Sequence, residues 1–137
     1  MKRFIGGILF LVMLALAGCG GGLSSIPPLL SNLQYFQDQA NPFQVDGNVD
    51  FSAPEVDLDS MSVTVVDSIT GVVVSQFVIP LPQYGGFSVG TIPFYIDASL
   101  LPSGPYSFSV QVIDVNGFLS NPLYGSFTVT AVGVQFP

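Results

Sequence analysis

The chain has 137 residues, with 9 Asp and Glu side chains against 2 Lys and Arg, so its formal net charge is −7. This length favours a single domain. Because the chain contains no His, a Ser-His-Asp or Cys-His catalytic site is excluded and the commonest metal ligand is missing. Two basic side chains cannot neutralise a phosphate backbone, so nucleic acid is excluded as a partner.

The first residues have the layout of a secretory signal peptide. Lys2 and Arg3 form a positively charged start, and residues 4–17 are all apolar or glycine. A membrane-spanning helix needs about 20 apolar residues, so this run is short for a permanent anchor. It predicts a cleaved signal over residues 1–18.

The segment Leu16-Ala17-Gly18-Cys19 resembles the lipobox of bacterial lipoproteins. The resemblance implies a diacylglyceryl lipid on the Cys19 thiol, cleavage before Cys19 and often an acyl chain such as palmitate on the new amine. Two or three acyl chains hold a protein firmly at a membrane, since each buried methylene contributes about 0.8 kcal/mol. The alternative is an ordinary signal peptide that happens to contain a cysteine.

The lipobox resemblance also predicts a location in the cell envelope. Gly20 follows the cysteine, where Gram-negative lipoproteins retained at the inner membrane commonly have Asp. We therefore expect the outer membrane in a Gram-negative host and the outer face of the cytoplasmic membrane in a Gram-positive one. Residues 19–28, rich in Gly, Ser and Pro, are the expected tether between the lipid and a domain over residues 29–137.

Cleavage before Cys19 would leave a chain without cationic side chains, because Lys2 and Arg3 are the only ones. All nine carboxylates lie downstream of the cleavage point. The lipidated cysteine is the only one in the chain, so neither a salt bridge between side chains nor a disulfide is available. Stability must then come from core packing and backbone hydrogen bonds.

Beyond the tether, apolar and polar residues alternate as in half-buried strands. Clusters of Gly, Pro, Asn and Asp separate these runs and favour chain reversals. The pattern predicts seven strands, near residues 29–37, 44–53, 60–67, 72–79, 87–96, 105–114 and 123–132. Short strands joined by frequent turns predict an all-β, antiparallel β-sandwich.

The stretch over residues 101–117, LPSGPYSFSVQVIDVNG, resembles part of bacterial immunoglobulin-like and fibronectin type III-like domains. It matches their Leu-x-x-Gly-x-Tyr corner, the alternating strand after it and an Asp-x-x-Gly turn. The resemblance implies a seven-stranded sandwich in which Tyr106 forms a tyrosine corner, its hydroxyl bonding to backbone a few residues upstream. The chain lacks the Trp and the Cys pair of true immunoglobulin domains, which favours the fibronectin-like or generic bacterial version.

Acidic residues supply a candidate metal site. Glu55, Asp57 and Asp59 alternate, so in an extended segment their carboxylates point the same way. In the resembled family this segment is a loop at the same end of the sandwich as Asp114 and Asn116. Calcium takes about 6–8 oxygen ligands, so the group predicts a Ca²⁺ site. The alternatives are solvated loop acids and, less favoured, an acid pair for glycoside hydrolysis.

Aromatic residues in turns are the candidate contact residues, with Tyr84 and Phe118 the most exposed in expectation. The alternative is that aromatic residues fill the core in place of the missing Trp and disulfide. The sequence as a whole predicts a non-enzymatic envelope lipoprotein that serves as an interaction or structural module. Calcium-assisted adhesion or carbohydrate binding is the alternative. The expected partners are the membrane, through the lipid, and an envelope protein or glycan, with Ca²⁺ the only expected cofactor besides the covalent lipid.

Overall fold

A computed structural model describes residues 26–137. The signal peptide, the lipobox with Cys19 and most of the tether that the sequence predicts lie outside the described residues. In the described part the chain forms β-strands and one short 3-10 turn, Pro82–Tyr84. Within residues 26–137, no helix has the length and apolar character needed to cross a membrane.

The strands form two antiparallel sheets. The first sheet has three strands in the order β1-β2-β5, and the second has five in the order β4-β3-β6-β7-β8. The prediction of an all-β, antiparallel fold is confirmed, and two sheets of this kind are compatible with a β-sandwich. The strands are β1 (Leu29–Gln37), β2 (Gln44–Ser52), β3 (Leu58–Asp67), β4 (Val73–Pro80), β5 (Val89–Asp97), β6 (Gly104–Asp114), β7 (Leu123–Thr130) and β8 (Gly133–Gln135).

The predicted number of seven strands is wrong, because the described residues form eight. The last strand, predicted over residues 123–132, ends at Thr130 in the structure. The chain then reverses so that Thr130 pairs with Gly133. Gly133 has a φ of +141°, and a Cβ there would lie 2.5 Å from the carbonyl oxygen of Pro42. Only glycine fits this position. The reversal itself uses Ala131 and Val132, which carry no turn signal, so the sequence pattern did not show it.

Alternation along the strands builds one apolar core between the two sheets. Every second residue of β2 and β6 is buried. Each fully buried Val, Ile, Leu, Met or Phe side chain contributes about 1.5–3 kcal/mol. The core side chains include Val45, Val49, Phe51, Ile92, Phe94 and Ile96 in the first sheet, and Met61, Val63, Val65, Phe108, Val110, Val112, Phe127 and Val129 in the second.

The ring of Phe108 lies at the centre of this core. It contacts Tyr35 edge-on, with ring centroids 5.1 Å apart, and lies 6.0 Å from Phe94 and 6.2 Å from Phe127. Its cross-strand partner on β7 is Gly125. A Cβ on Gly125 would lie 2.3 Å from Cζ of Phe108. The glycine therefore provides the space that the central ring occupies.

Asn121 joins the first strand to the second sheet. Its side-chain oxygen accepts the backbone N–H of Leu30 at 2.8 Å, and its amide nitrogen donates to the Leu30 carbonyl at 3.0 Å. The hydroxyl of Tyr35 accepts the N–H of Ser126 at 3.2 Å. These hydrogen bonds hold β1 against β7 and against the segment that precedes β7.

We expect Gly125→Ala to destabilise the protein by about 1–3 kcal/mol, because the added methyl group overfills the core against Phe108 and Tyr35. The measurement is the free energy of unfolding from a urea titration of the full chain. Gly86→Ala is the matched control, since a Cβ at Gly86 meets no atom within 4 Å. Equal stability of the two variants would contradict this account of the core.

Candidate functional site

The predicted acidic residues lie at one end of the two sheets. Strand β3 begins at Leu58 and β6 ends at Asp114, and these two residues pair. The N–H of Val115 donates to the Asp57 carbonyl at 2.9 Å. The loop between β2 and β3 therefore lies directly beside the turn that follows β6.

Three carboxyl groups converge at this place. Glu55, Asp57 and Asp114 each offer an oxygen atom, and these oxygens all lie within 4.8 Å of one another. We call these three residues the acidic triad. Val56 lies between the first two and has a φ of 51°, which is unusual for a β-branched residue. The segment is thus a turn and not the extended segment in which simple alternation would align the carboxylates.

Asp114 is buried because of its position on β6. It follows Tyr106, Phe108, Val110 and Val112 in the inward-facing row, and only 2% of its surface is exposed. Its Oδ1 accepts the N–H groups of two residues in the following turn, both at 2.9 Å. Its Oδ2 is buried and has no hydrogen-bond partner among residues 26–137. Leaving a buried carboxylate oxygen unsatisfied is costly.

The triad concentrates negative charge. Burial of Asp57, followed by the nearby charges of Asp114 and Glu55, raises the pKa of the Asp57 carboxyl above its usual value. Residues 26–137 contain no Lys, Arg or His side chain. A counter-charge for the triad must therefore come from outside this part of the chain.

The other two predicted ligands have different positions. Asn116 contacts the triad, since its Nδ2 donates to Oδ2 of Asp57 at 3.3 Å. Asp59 is exposed and is not part of the triad. The register between β3 and β6 shifts between Leu58 and Ser60, so Asp59 is the extra residue of a β-bulge. A bulge changes which way the following side chains point, and simple alternation does not reveal it.

Tyr84 is not the freely exposed contact residue that the sequence predicted. It is half-buried, its ring meets Phe51 edge-on with centroids 5.6 Å apart, and its hydroxyl donates to the Thr91 carbonyl at 3.1 Å. It packs on the edge of the core. Phe118 is 41% exposed, and its N–H is one of the two donors to Asp114.

Two further exposed aromatic residues lie on the outer face of the first sheet. Phe36 pairs with Asp46, and Asp46 pairs with Tyr95. Phe36 is 52% exposed and Tyr95 is 60% exposed. Asp46 lies between them and accepts a hydrogen bond from Nε2 of Gln44 at 2.7 Å. We call Phe36, Asp46 and Tyr95 the outer row. Only the pairing of three strands brings these residues together.

Tyr106 is buried at the start of β6. Its hydroxyl donates to the Pro102 carbonyl, four residues upstream, at 2.6 Å. Burial and the nearby charge of Asp67 raise the pKa of the phenol. The bond ties the chain that precedes β6 to the strand.

No protein-family model matches the chain, and no curated protein matches it significantly.

We expect Tyr106→Phe to lower the free energy of unfolding by about 0.5–1.5 kcal/mol, because the hydrogen bond to Pro102 is lost. The matched control is Tyr124→Phe, since Tyr124 is 73% exposed. Both free energies are measured by urea titration of the full chain. If the two variants are equally stable, the corner bond does not contribute to stability.

Proposed function

We propose that this chain is a lipid-anchored, non-enzymatic lipoprotein of a bacterial cell envelope. In this proposal an immunoglobulin-like or fibronectin type III-like sandwich serves as an interaction or structural module. The observation that carries the proposal is the direct succession of a lipobox-like segment, a short Gly/Ser/Pro stretch and a two-sheet structure that begins at Leu29.

Two structural details support the fibronectin-like version of the fold. Strand β4 pairs with β3 and not with β5, whereas in constant-type immunoglobulin domains the fourth strand belongs to the sheet of the first two. The bond from Tyr106 to the Pro102 carbonyl has the form of a tyrosine corner.

A lipid on Cys19 would determine which end of the structure faces the membrane. Residues 20–28 reach about 30 Å when fully extended. The N–H of Ile26 donates to Oε1 of Glu55 at 3.2 Å, so the chain arrives at the end that carries the acidic triad. The opposite end, with the loops over residues 38–43, 68–72 and 98–103, would face away from the anchoring membrane.

The residue types favour binding over catalysis. Residues 26–137 contain no His, Cys, Lys or Arg, which leaves carboxylates and tyrosine hydroxyls as the side chains available for general acid and base chemistry. Glycoside hydrolysis needs two carboxyl groups on either side of a bound sugar. In the acidic triad the Asp114 carboxyl is buried at the end of the core, which does not suit that arrangement.

The outer row favours carbohydrate binding as the second candidate function. Phe36 and Tyr95 flank Asp46, and the neighbouring row pairs Gln34 with Asn48. Exposed aromatic faces beside carboxylate and amide groups can stack on a sugar ring and bond to its hydroxyls. The same row could equally contact an envelope protein, because tyrosine and phenylalanine are enriched in protein interfaces.

We expect Cys19→Ala to abolish lipid attachment and to move the protein out of the membrane fraction. The measurement is incorporation of an alkyne-labelled fatty acid into the full chain in cells, followed by membrane fractionation. Ser24→Ala, which changes the tether but not the lipobox, should keep both the label and the membrane location. Undiminished labelling of the Cys19→Ala variant would contradict the anchor.

We expect a photo-crosslinking amino acid at position 95 to form a specific adduct in intact cells, because Tyr95 belongs to the outer row. The same crosslinker at position 124, an exposed aromatic position on the other sheet, is the control. Phe36→Ala should reduce the adduct at position 95 at least threefold. A protein adduct supports the interaction module and a glycan adduct supports carbohydrate binding, whereas equal adducts at both positions would rule out the outer row as the contact surface.

A further inference from the structure

We propose that the acidic triad of Glu55, Asp57 and Asp114 binds one Ca²⁺ ion, which connects the β2–β3 loop to the end of β6. The proposal depends on the geometry of these residues alone and does not require the proposed function to be correct.

One carboxylate oxygen of Asp114 lacks a hydrogen-bond partner within residues 26–137. The carboxyl group is held in place, because its Oδ1 already accepts two backbone N–H groups at 2.9 Å. Turning the group to satisfy Oδ2 would break those bonds. Oδ2 remains buried without a hydrogen-bond partner among the described residues, in a side chain that is 2% exposed. Buried polar groups nearly always have a partner, so this oxygen indicates a ligand.

The acidic triad has negative charge that no nearby side chain of residues 26–137 neutralises. Three carboxyl groups have oxygens within 4.8 Å of one another, and their mutual repulsion is strong where burial removes water. No side chain between residues 26 and 137 carries positive charge. An external cation would provide the counter-charge and would also coordinate the unsatisfied Asp114 oxygen.

The distances between the triad oxygens suit a calcium ion. Calcium binds oxygen at about 2.3–2.6 Å, so two oxygens on the same ion can be at most about 5.2 Å apart. The triad oxygens, within 4.8 Å of one another, satisfy this limit as they stand. An all-oxygen donor set suits a hard cation, and a site made of several protein carboxylates suits Ca²⁺ better than Mg²⁺, which keeps most of its water.

The remaining ligands are available at the same place. Asn116 donates its amide N–H to Asp57 at 3.3 Å, and a half-turn of this amide would present its oxygen instead. Water can complete the coordination. The site has one buried carboxylate at the end of β6 and two half-buried ones in a loop, and we expect it to bind like the weaker calcium sites of extracellular modules, with dissociation constants of about 10⁻⁴–10⁻³ M.

The test is thermal unfolding of the full chain, purified in detergent, first with a chelator and then with increasing CaCl₂. We expect Tm to rise by roughly 10 °C at calcium concentrations 100-fold above the dissociation constant. Asp57→Asn should remove most of this rise. Asp59→Asn is the matched control, since Asp59 is two residues away but outside the triad, and it should keep the full rise.

Asp114→Asn provides a second variant, in which Oδ1 can still accept both N–H groups. It should fold in the presence of chelator with a Tm equal to or above that of the parent chain, because a charge is removed from the triad, and it should not respond to calcium. If the Tm of the parent chain stays unchanged at calcium concentrations up to 10-fold above the expected range of dissociation constants, the proposal is overturned. An equal rise in the Asp57→Asn variant would also overturn it, and an equal rise with MgCl₂ would overturn the assignment to calcium.

Discussion

The apolar contact between the two sheets is the interaction on which the rest of this structure depends. Residues 26–137 contain no cationic side chain and no cysteine, so neither ion pairs between side chains nor disulfides can support it. Core packing and backbone hydrogen bonds have to provide the stability, and the packing around Phe108 is possible because Gly125 leaves space for the ring. The hydrogen bonds of Asn121 to Leu30 then fasten the first strand to the second sheet.

The same packing explains why a carboxyl group is buried. The alternation that directs Phe108, Val110 and Val112 into the core continues for one more step and directs Asp114 inward as well. Because Asp114 is the last residue of β6, its carboxyl group lies beside those of Glu55 and Asp57 in the loop after β2. The acidic triad is thus a consequence of where the strand ends. Its negative charge destabilises the folded state unless a proton or a cation neutralises it.

Alternation and turn chemistry were sufficient to predict most of the strands, because these depend on local residue order. The convergence of Glu55 and Asp57 with Asp114 is long-range and was expected only from the resemblance to immunoglobulin-like domains. Alternation and turn chemistry failed where the outcome depends on the register between strands. The bulge at Asp59, the extra reversal at Ala131 and the outer row are all of this kind. The burial of Tyr84 against Phe51 also depends on which loop lies over the end of the first sheet, and a linear pattern does not contain that information.

Residues 26–137 form an apolar two-sheet structure without a cationic side chain, and the proposed Ca²⁺ ion would neutralise the negative charge of its acidic triad. Two-dimensional ¹H–¹⁵N NMR spectra of the full chain in detergent, recorded during a calcium titration, show whether the ion binds there. Binding at the triad predicts saturable shifts for amides in residues 53–59 and 112–118, fitting one ion per chain. Shifts spread equally over the turns at Asp38, Asp67 and Asp97, or no saturable shift at all, would contradict it.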